Sequence, residues 1–188
     1  TDEGPAFIYR DRSEEEVRDM YIVRKVDGVW SQPSLISADN WKIEGCPVNG
    51  PSADASGKDL VVAWFTATSD RPSVKVAFSE NSGESFYDPI VLDAAKPLGR
   101  VDAKWIGNGA IVSWLGRDED GVSIYACKVR PDGKGAINRI ASSSEARSSG
   151  FPQLEIHQDT VFFAWTQYKK DKPSSLEMKA YPLSYFKN

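Results

Sequence analysis

A β-propeller, an all-β ring of four-stranded antiparallel blades, is the fold class this sequence predicts, and three observations predict it. First, four apolar runs each end in an aromatic followed by polar residues: AFIYRD at Tyr9, LVVAWFT at Trp64, AIVSWLG at Trp114 and VFFAWTQ at Trp165. They are spaced by 55, 50 and 51 residues, near the blade length of about 40 to 50 residues in propeller repeats. Second, each run is followed by another alternating stretch, RDMYIVRK, VKVAFSE, SIYACKVR or SLEMKAYP, as a paired antiparallel strand requires. Third, helical periodicity is almost absent, SEEEVRD being the one segment that could make a helical turn.

The strands of a unit follow in order. Strand A is a short segment opening on small or turn residues, NGPSADASG, GRVDAKWIG or SGFPQLEIH, and it precedes the last three aromatic runs. Strand B is the aromatic-ended run, and strand C is the alternating run after it. Strand D is a weaker apolar stretch after a turn, WSQPSLIS, SFYDPIVLD or AINRIAS. The units are 1–37, 49–93, 99–141 and 148–186. The expectation is three complete blades behind a leading one, whose TDEGPAF enters strand B directly with no strand A. A β-sandwich has equally short strands, but it gives no reason for an aromatic at one place in every second strand. In a propeller strand B is buried between neighbouring blades and needs bulk there.

Composition sets limits. With 188 residues, 40% hydrophobic and 27% charged, the chain can bury a sizeable core and is not of disordered composition. A net charge of -4 argues against a nucleic-acid partner, which selects a basic face. No apolar run reaches membrane-spanning length, and TDEGPAF is not a signal peptide. Two cysteines, Cys46 and Cys127, are too few for a disulfide framework, and nothing in the sequence says that they pair.

Between strands C and D of the second unit lies SENSGESF, Ser79 to Phe86. A calcium loop of EF-hand type needs flanking helices and a closing glutamate. Here the flanks are β-branched and aromatic, so the stretch reads as a structural turn and no metal is expected. Asn81 can accept hydrogen bonds from turn amides, Gly83 can take positive φ, and Ser85 and Phe86 complete the turn. The stretch resembles the Asp-box, S-x-D-x-G-x-[ST]-[WF], with Asn81 in place of Asp. Looser forms recur at Asp27-Gly28 and Asp132-Gly133.

Together with YRDRS, GCPVNGP, VAWFTA, GRVD, VSWL and SGFP, these motifs make nearly the whole chain resemble the C-terminal half of bacterial sialidase-like (BNR/Asp-box repeat) propellers. The resemblance implies about four blades of a six-bladed ring, an exported protein acting outside the cytoplasm, and a carbohydrate ligand of sialic acid type. It also implies that a missing N-terminal segment or a second chain completes the ring. No cofactor is implied.

Topology sorts the loops. The D-to-A and B-to-C connections emerge on one face, the Asp-box turns on the other, and propeller ligands gather on loop faces. Arg10, Arg12, Arg100 and Arg147 are candidates for a carboxylate, which a guanidinium binds in a bidentate way. The alternative is that each pairs with a neighbouring acid and stiffens a loop. Trp41 could stack on a sugar face or pack down on its own blade, and Asn49 shares that loop. Asp11, Asp19 and Asp102 are the weak catalytic candidates, with ion pairing as the rival role. Cys46 could be a ligand or a buried, inert thiol. The single His157 has no companion for a metal site.

In the family that the chain resembles, an arginine triad, a tyrosine with a glutamate, and an aspartate perform hydrolysis. This chain lacks the Arg-Ile-Pro motif and has no tyrosine at the start of a strand A. Two functions therefore stand: a sialidase-like glycoside hydrolase fragment acting on an anionic sugar, and a non-catalytic propeller binding glycan or protein through its loop face.

Overall fold

The computed structural model describes residues 1–45, 47–168 and 172–188. Among these residues sixteen strands form four separate sheets in chain order. Blade 1 contains β1 (Ala6–Arg10), β2 (Met20–Val26), and β3 (Val29–Trp30) and β4 (Ser34–Ser37), both paired to β2. Blade 2 runs β5 (Ser52–Ser56), β6 (Asp59–Thr66), β7 (Ser73–Ser79), β8 (Ile90–Asp93). Blade 3 runs β9 (Pro97–Trp105), β10 (Ala110–Asp118), β11 (Gly121–Arg130), with β12 (Gly133–Lys134) and β13 (Asn138–Ser142) on its outer edge. Blade 4 has β14 (Gln153–His157), β15 (Thr160–Gln167) and β16 (Ser175–Pro182). All pairings are antiparallel, and each blade is a meander.

Two expectations need correction. The last blade is not complete: among the described residues β16 has no fourth strand beside it. After Pro182 the chain makes a 3-10 turn, Leu183–Tyr185, and Phe186 drops into the core between blades 3 and 4 instead of running back along β16. The segment SEEEVRD is not helical. Ser13 Oγ accepts the amides of Glu15 and Val17, and Val17 then pairs with Lys42.

Burial along the strands reports which faces are covered. In β6 and β10 nearly every residue is buried, because each has a blade on both sides. In β15 burial alternates, because only the side facing blade 3 is covered. Three cores fill the gaps. Met20, Ile22 and Trp64 lie between blades 1 and 2, Phe78, Trp114 and Cys127 between blades 2 and 3, and Leu154, Phe163 and Trp165 between blades 3 and 4. The three tryptophans thus occupy equivalent places, each facing the preceding blade. Tyr9 is their counterpart in blade 1; it stacks on Tyr21 at 6.2 Å as Trp114 stacks on Tyr125 at 6.2 Å.

The tryptophans are also tied by hydrogen bonds. Trp64 Nε1 donates to Asp39 Oδ2 at 2.6 Å, and Trp114 Nε1 donates to Asp93 Oδ2 at 2.9 Å. Both acids stand at or just beyond the end of a strand D of the preceding blade. The third such strand ends in Ser142. Trp165 Nε1 instead reaches Gln167 of its own strand at 3.1 Å.

The innermost strands β5, β9 and β14 touch one another in series, which places the axis beside them. Side chains stitch them there. Asp54 Oδ2 accepts Trp105 N at 2.8 Å, and Asp102 Oδ2 accepts Leu154 N at 2.8 Å, so each carboxylate takes an amide of the next blade. Lys104 and Glu155, on the same two strands, pair at 2.9 Å.

Candidate functional site

The loop face gathers around Arg10, the last residue of β1. Its Nη1 donates to Arg18 O at 3.2 Å, and its Nη2 donates to Asn49 O at 3.3 Å and to Phe65 O. Its guanidinium lies 4.8 Å from the centre of the Trp41 ring. Burial lowers the Arg10 pKa to about 10, against the opposing charges of Asp39 and Asp19. Arg10 therefore fastens the end of blade 1 to the loop entering blade 2, with one edge of the group left over.

Arg18, placed among the acids of SEEEVRD, is the second member. It is 5% exposed. Its Nη2 donates to Glu16 Oε2 at 2.6 Å and to Gly45 O at 2.9 Å. Arg12 is exposed and donates through Nε to Glu16 Oε1 at 3.0 Å. Hydrogen bonds from Arg12, with the charges of Arg12 and Arg18 behind them, hold the Glu16 carboxyl below the usual glutamate range. Among the described residues the Nε atoms of Arg10 and Arg18 are buried without hydrogen-bond partners.

These arginines border two adjoining hollows. One of about 270 Å³ is lined by Arg10, Arg12, Arg18, Gly45 and Pro47; the other, of about 440 Å³, is lined by Arg12, Glu16, Arg18, Glu44 and Gly45. The first presents cations only. Cys46, between two of its lining residues, lies outside the described residues.

The other candidates separate. Trp41 is 7% exposed and packs edge-on against Phe65 at 5.7 Å, so its face serves Arg10 and the core. Asn49 joins blades: its Oδ1 accepts Arg100 N at 2.9 Å, and its Nδ2 donates to Leu98 O at 3.2 Å. Arg100 sits in a β-bulge opposite Trp114, at φ 53 beside Gly99 at φ 83. A Cβ on Gly99 would come within 2.6 Å of Asn49 Cγ. The bulge aims Arg100 into the next loop, where it donates to Ser149 Oγ and to the carbonyls of Glu145, Ala146 and Gly150. All of these acceptors belong to one loop, and none is a carboxylate. Arg147 is exposed at the start of the 3-10 turn Arg147–Ser149.

Of the acids, Asp102 is engaged in the inter-blade seam, where it accepts Ser52 Oγ, Ala103 N and Leu154 N. Asp11 is exposed. Asp19 is half-buried; its Oδ1 accepts Asn40 N at 2.7 Å, and burial raises its pKa.

On the opposite face the Ser79–Phe86 turn closes on itself. Ser79 Oγ accepts Gly83 N at 2.9 Å, Asn81 Oδ1 accepts Ser85 N at 3.0 Å, and Asn81 Nδ2 donates to Ser85 Oγ at 2.8 Å. Phe86 packs on the core between blades 1 and 2. Among the described residues no cluster of His, Cys, Asp and Glu is suited to a metal. No helix among them is long and apolar enough to cross a membrane.

No family model matches the chain, and no curated protein is significantly similar to it. Solved structures are. Bacteroides ovatus xyloglucan PUL GH43B is 15% identical over 95% of this chain and 38% of its own, with a TM-score of 0.50. Hadza microbial sialidase Hz136 is 14% identical over 89% of this chain and 39% of its own, with a TM-score of 0.51. The fold is that of a β-propeller. The chain spans about two-fifths of the length of these glycoside hydrolase-like neighbours, and at such identities the likeness extends to the fold alone.

Proposed function

We propose that this chain is part of a carbohydrate-acting propeller of sialidase-like type, exported from the cytoplasm, whose loop face holds an acidic sugar by its carboxylate. The observation that carries the reading is the hollow of about 270 Å³ lined by Arg10, Arg12 and Arg18 and walled by Gly45 and Pro47. Arg18 is buried and Arg10 half-buried, and backbone carbonyls pin both, so they are positioned before any ligand arrives. Charge-assisted bonds from such groups are the stronger kind of polar contact, and a neutral sugar gains none of them. Further blades, from the same polypeptide or a second chain, would supply the rest of a hydrolytic set.

The second reading is a binding propeller without catalysis. It is favoured by Asp102, whose carboxylate is engaged in the inter-blade seam and does not face the hollow. Calorimetric titration with N-acetylneuraminate, glucuronate and galactose tests the shared part of the two readings. The two acids should bind and galactose should not, and Arg12→Ala should weaken the acids about tenfold or more without changing the melting temperature. Equal binding of acid and neutral sugars, or none of either, refutes the anion site. Release of 4-methylumbelliferone from its sialoside separates enzyme from binder.

A further inference from the structure

We infer that Glu16 is an internal competitor: its carboxylate occupies, between Arg12 and Arg18, the position that the carboxylate of an acidic ligand takes, so that binding proceeds by exchange of one carboxylate for another. The inference rests on the reading of the arginine hollow as an anion site, with the ligand carboxylate at its Arg12–Arg18 edge, which the hollow lined by Glu16 shares. Glu16 spreads its two oxygens over two arginines, Oε1 accepting from Arg12 Nε at 3.0 Å and Oε2 from Arg18 Nη2 at 2.6 Å. That is the geometry a bound carboxylate would adopt between the same groups. Were this an ordinary surface pair, both partners would be solvated. Arg18 is not, since its side chain is 6% exposed, whereas that of Arg12 is 68% exposed.

The backbone is built to deliver this carboxylate. Glu16 has φ 64, a left-handed conformation that a residue with a Cβ adopts only where its surroundings impose it. Those surroundings are visible: Glu16 N donates to Ser13 O at 3.1 Å, and Ile43 N donates to Glu16 O at 3.1 Å. These bonds fix the main chain and leave the side chain free to turn. The hollow of about 440 Å³ beside it gives it room to do so.

Exchange would confer selectivity. If Glu16 leaves with nothing in its place, the buried Arg18 cation loses its counter-ion, which is costly at low exposure. A ligand carboxylate restores the charge balance, and a neutral sugar cannot. The device therefore sets a threshold that rejects uncharged ligands and weak contacts alike.

The test is titration of N-acetylneuraminate, glucuronate and galactose into the wild type, Glu16→Gln and Glu16→Asp. Glu16→Gln should tighten both acids by about tenfold or more and leave galactose unbound. Glu16→Asp keeps the charge but is too short to span both arginines, so it should tighten them by a smaller factor; it serves if the Gln variant does not fold. Acid binding in the wild type that weakens or is unchanged in both variants overturns the competitor role and leaves the anion site standing. Binding only in the variants supports exchange. No acid binding in any form overturns the competitor role and the anion site together.

Discussion

Replacing Asp93 with alanine removes the acceptor of a tryptophan that has no other. Trp114 is 1% exposed, and its Nε1 lies 2.9 Å from Asp93 Oδ2 in a part-buried pair. A buried donor left unpaired costs about 1–3 kcal/mol, and the lost bond from Ala95 N to Asp93 Oδ1 adds about 1 kcal/mol. The expected loss is about 2–4 kcal/mol, or a fall in Tm of roughly 5–12 °C for a chain of this size. Asp39→Ala should cost more, toward 3–5 kcal/mol, because it also strips Lys75 of its partner at 2.6 Å. Gln167→Ala removes a neutral acceptor at 3.1 Å from a tryptophan 6% exposed and should cost about 1 kcal/mol. Urea unfolding followed by tryptophan fluorescence gives all three. The order Asp39 over Asp93 over Gln167 is the prediction, and an Asp93→Ala midpoint equal to wild type, or a Gln167→Ala loss as large as that of Asp39→Ala, refutes the tie between blades.

Three further outcomes follow from the same geometry. Asn81→Ala should cost about 1 kcal/mol by urea titration and leave acid-sugar affinity unchanged, since its bonds lie on the face opposite the arginines; a change in affinity would contradict the division of faces. Gly83→Ala should cost about 2 kcal/mol or more, because φ is 82 and the added Cβ meets Ile22 Cδ1 at 2.6 Å across the seam of blades 1 and 2; stability within 0.5 kcal/mol of wild type, on a scale where surface changes are about that size, would be inconsistent with that contact. Burial pushes the Cys127 thiol up to about 12 from 9.0. The folded state keeps its proton longer than the unfolded state, so this contribution is full below pH 9 and is lost as pH rises through 9 toward 12. Wild-type urea midpoints should therefore fall more steeply above pH 9 than those of Cys127→Ala, and a disulfide reagent at pH 8 should leave native Cys127 unmodified.

The fold was legible because burial between blades leaves a signal that survives in single residues. Trp64, Trp114 and Trp165 mark one position of one strand, and the fact that β6 is apolar on both faces says that it has two neighbours. The fourth strand of blade 4 was overcounted because SLEMKAYP alternates like any strand C, while the turn of Leu183–Tyr185 and the burial of Phe186 depend on a core made by other segments. The site was legible only in part. YRDRS pointed to Arg10 and Arg12, but Arg18 sits among acids in the sequence and only the fold turns it inward. Trp41 and Arg100 stayed open between a ligand role and a structural one. An aromatic in a loop, or a cation at a bulge where the alternation breaks, has no periodic neighbours to say whether it faces solvent or the next blade.

The stitches beside the axis run one way. Asp54 of β5 receives an amide of β9, and Asp102 of β9 receives an amide of β14. Blades 2 and 3 thus each carry a carboxylate acceptor for a main-chain amide of the blade that follows, beside side-chain pairs such as Lys104–Glu155. During synthesis from the N-terminus an emerging inner strand meets a finished docking edge, so assembly can proceed as a ratchet with little waiting for distant partners. At these two amides the following strand tolerates a change of side chain, whereas the carboxylates of Asp54 and Asp102 do not.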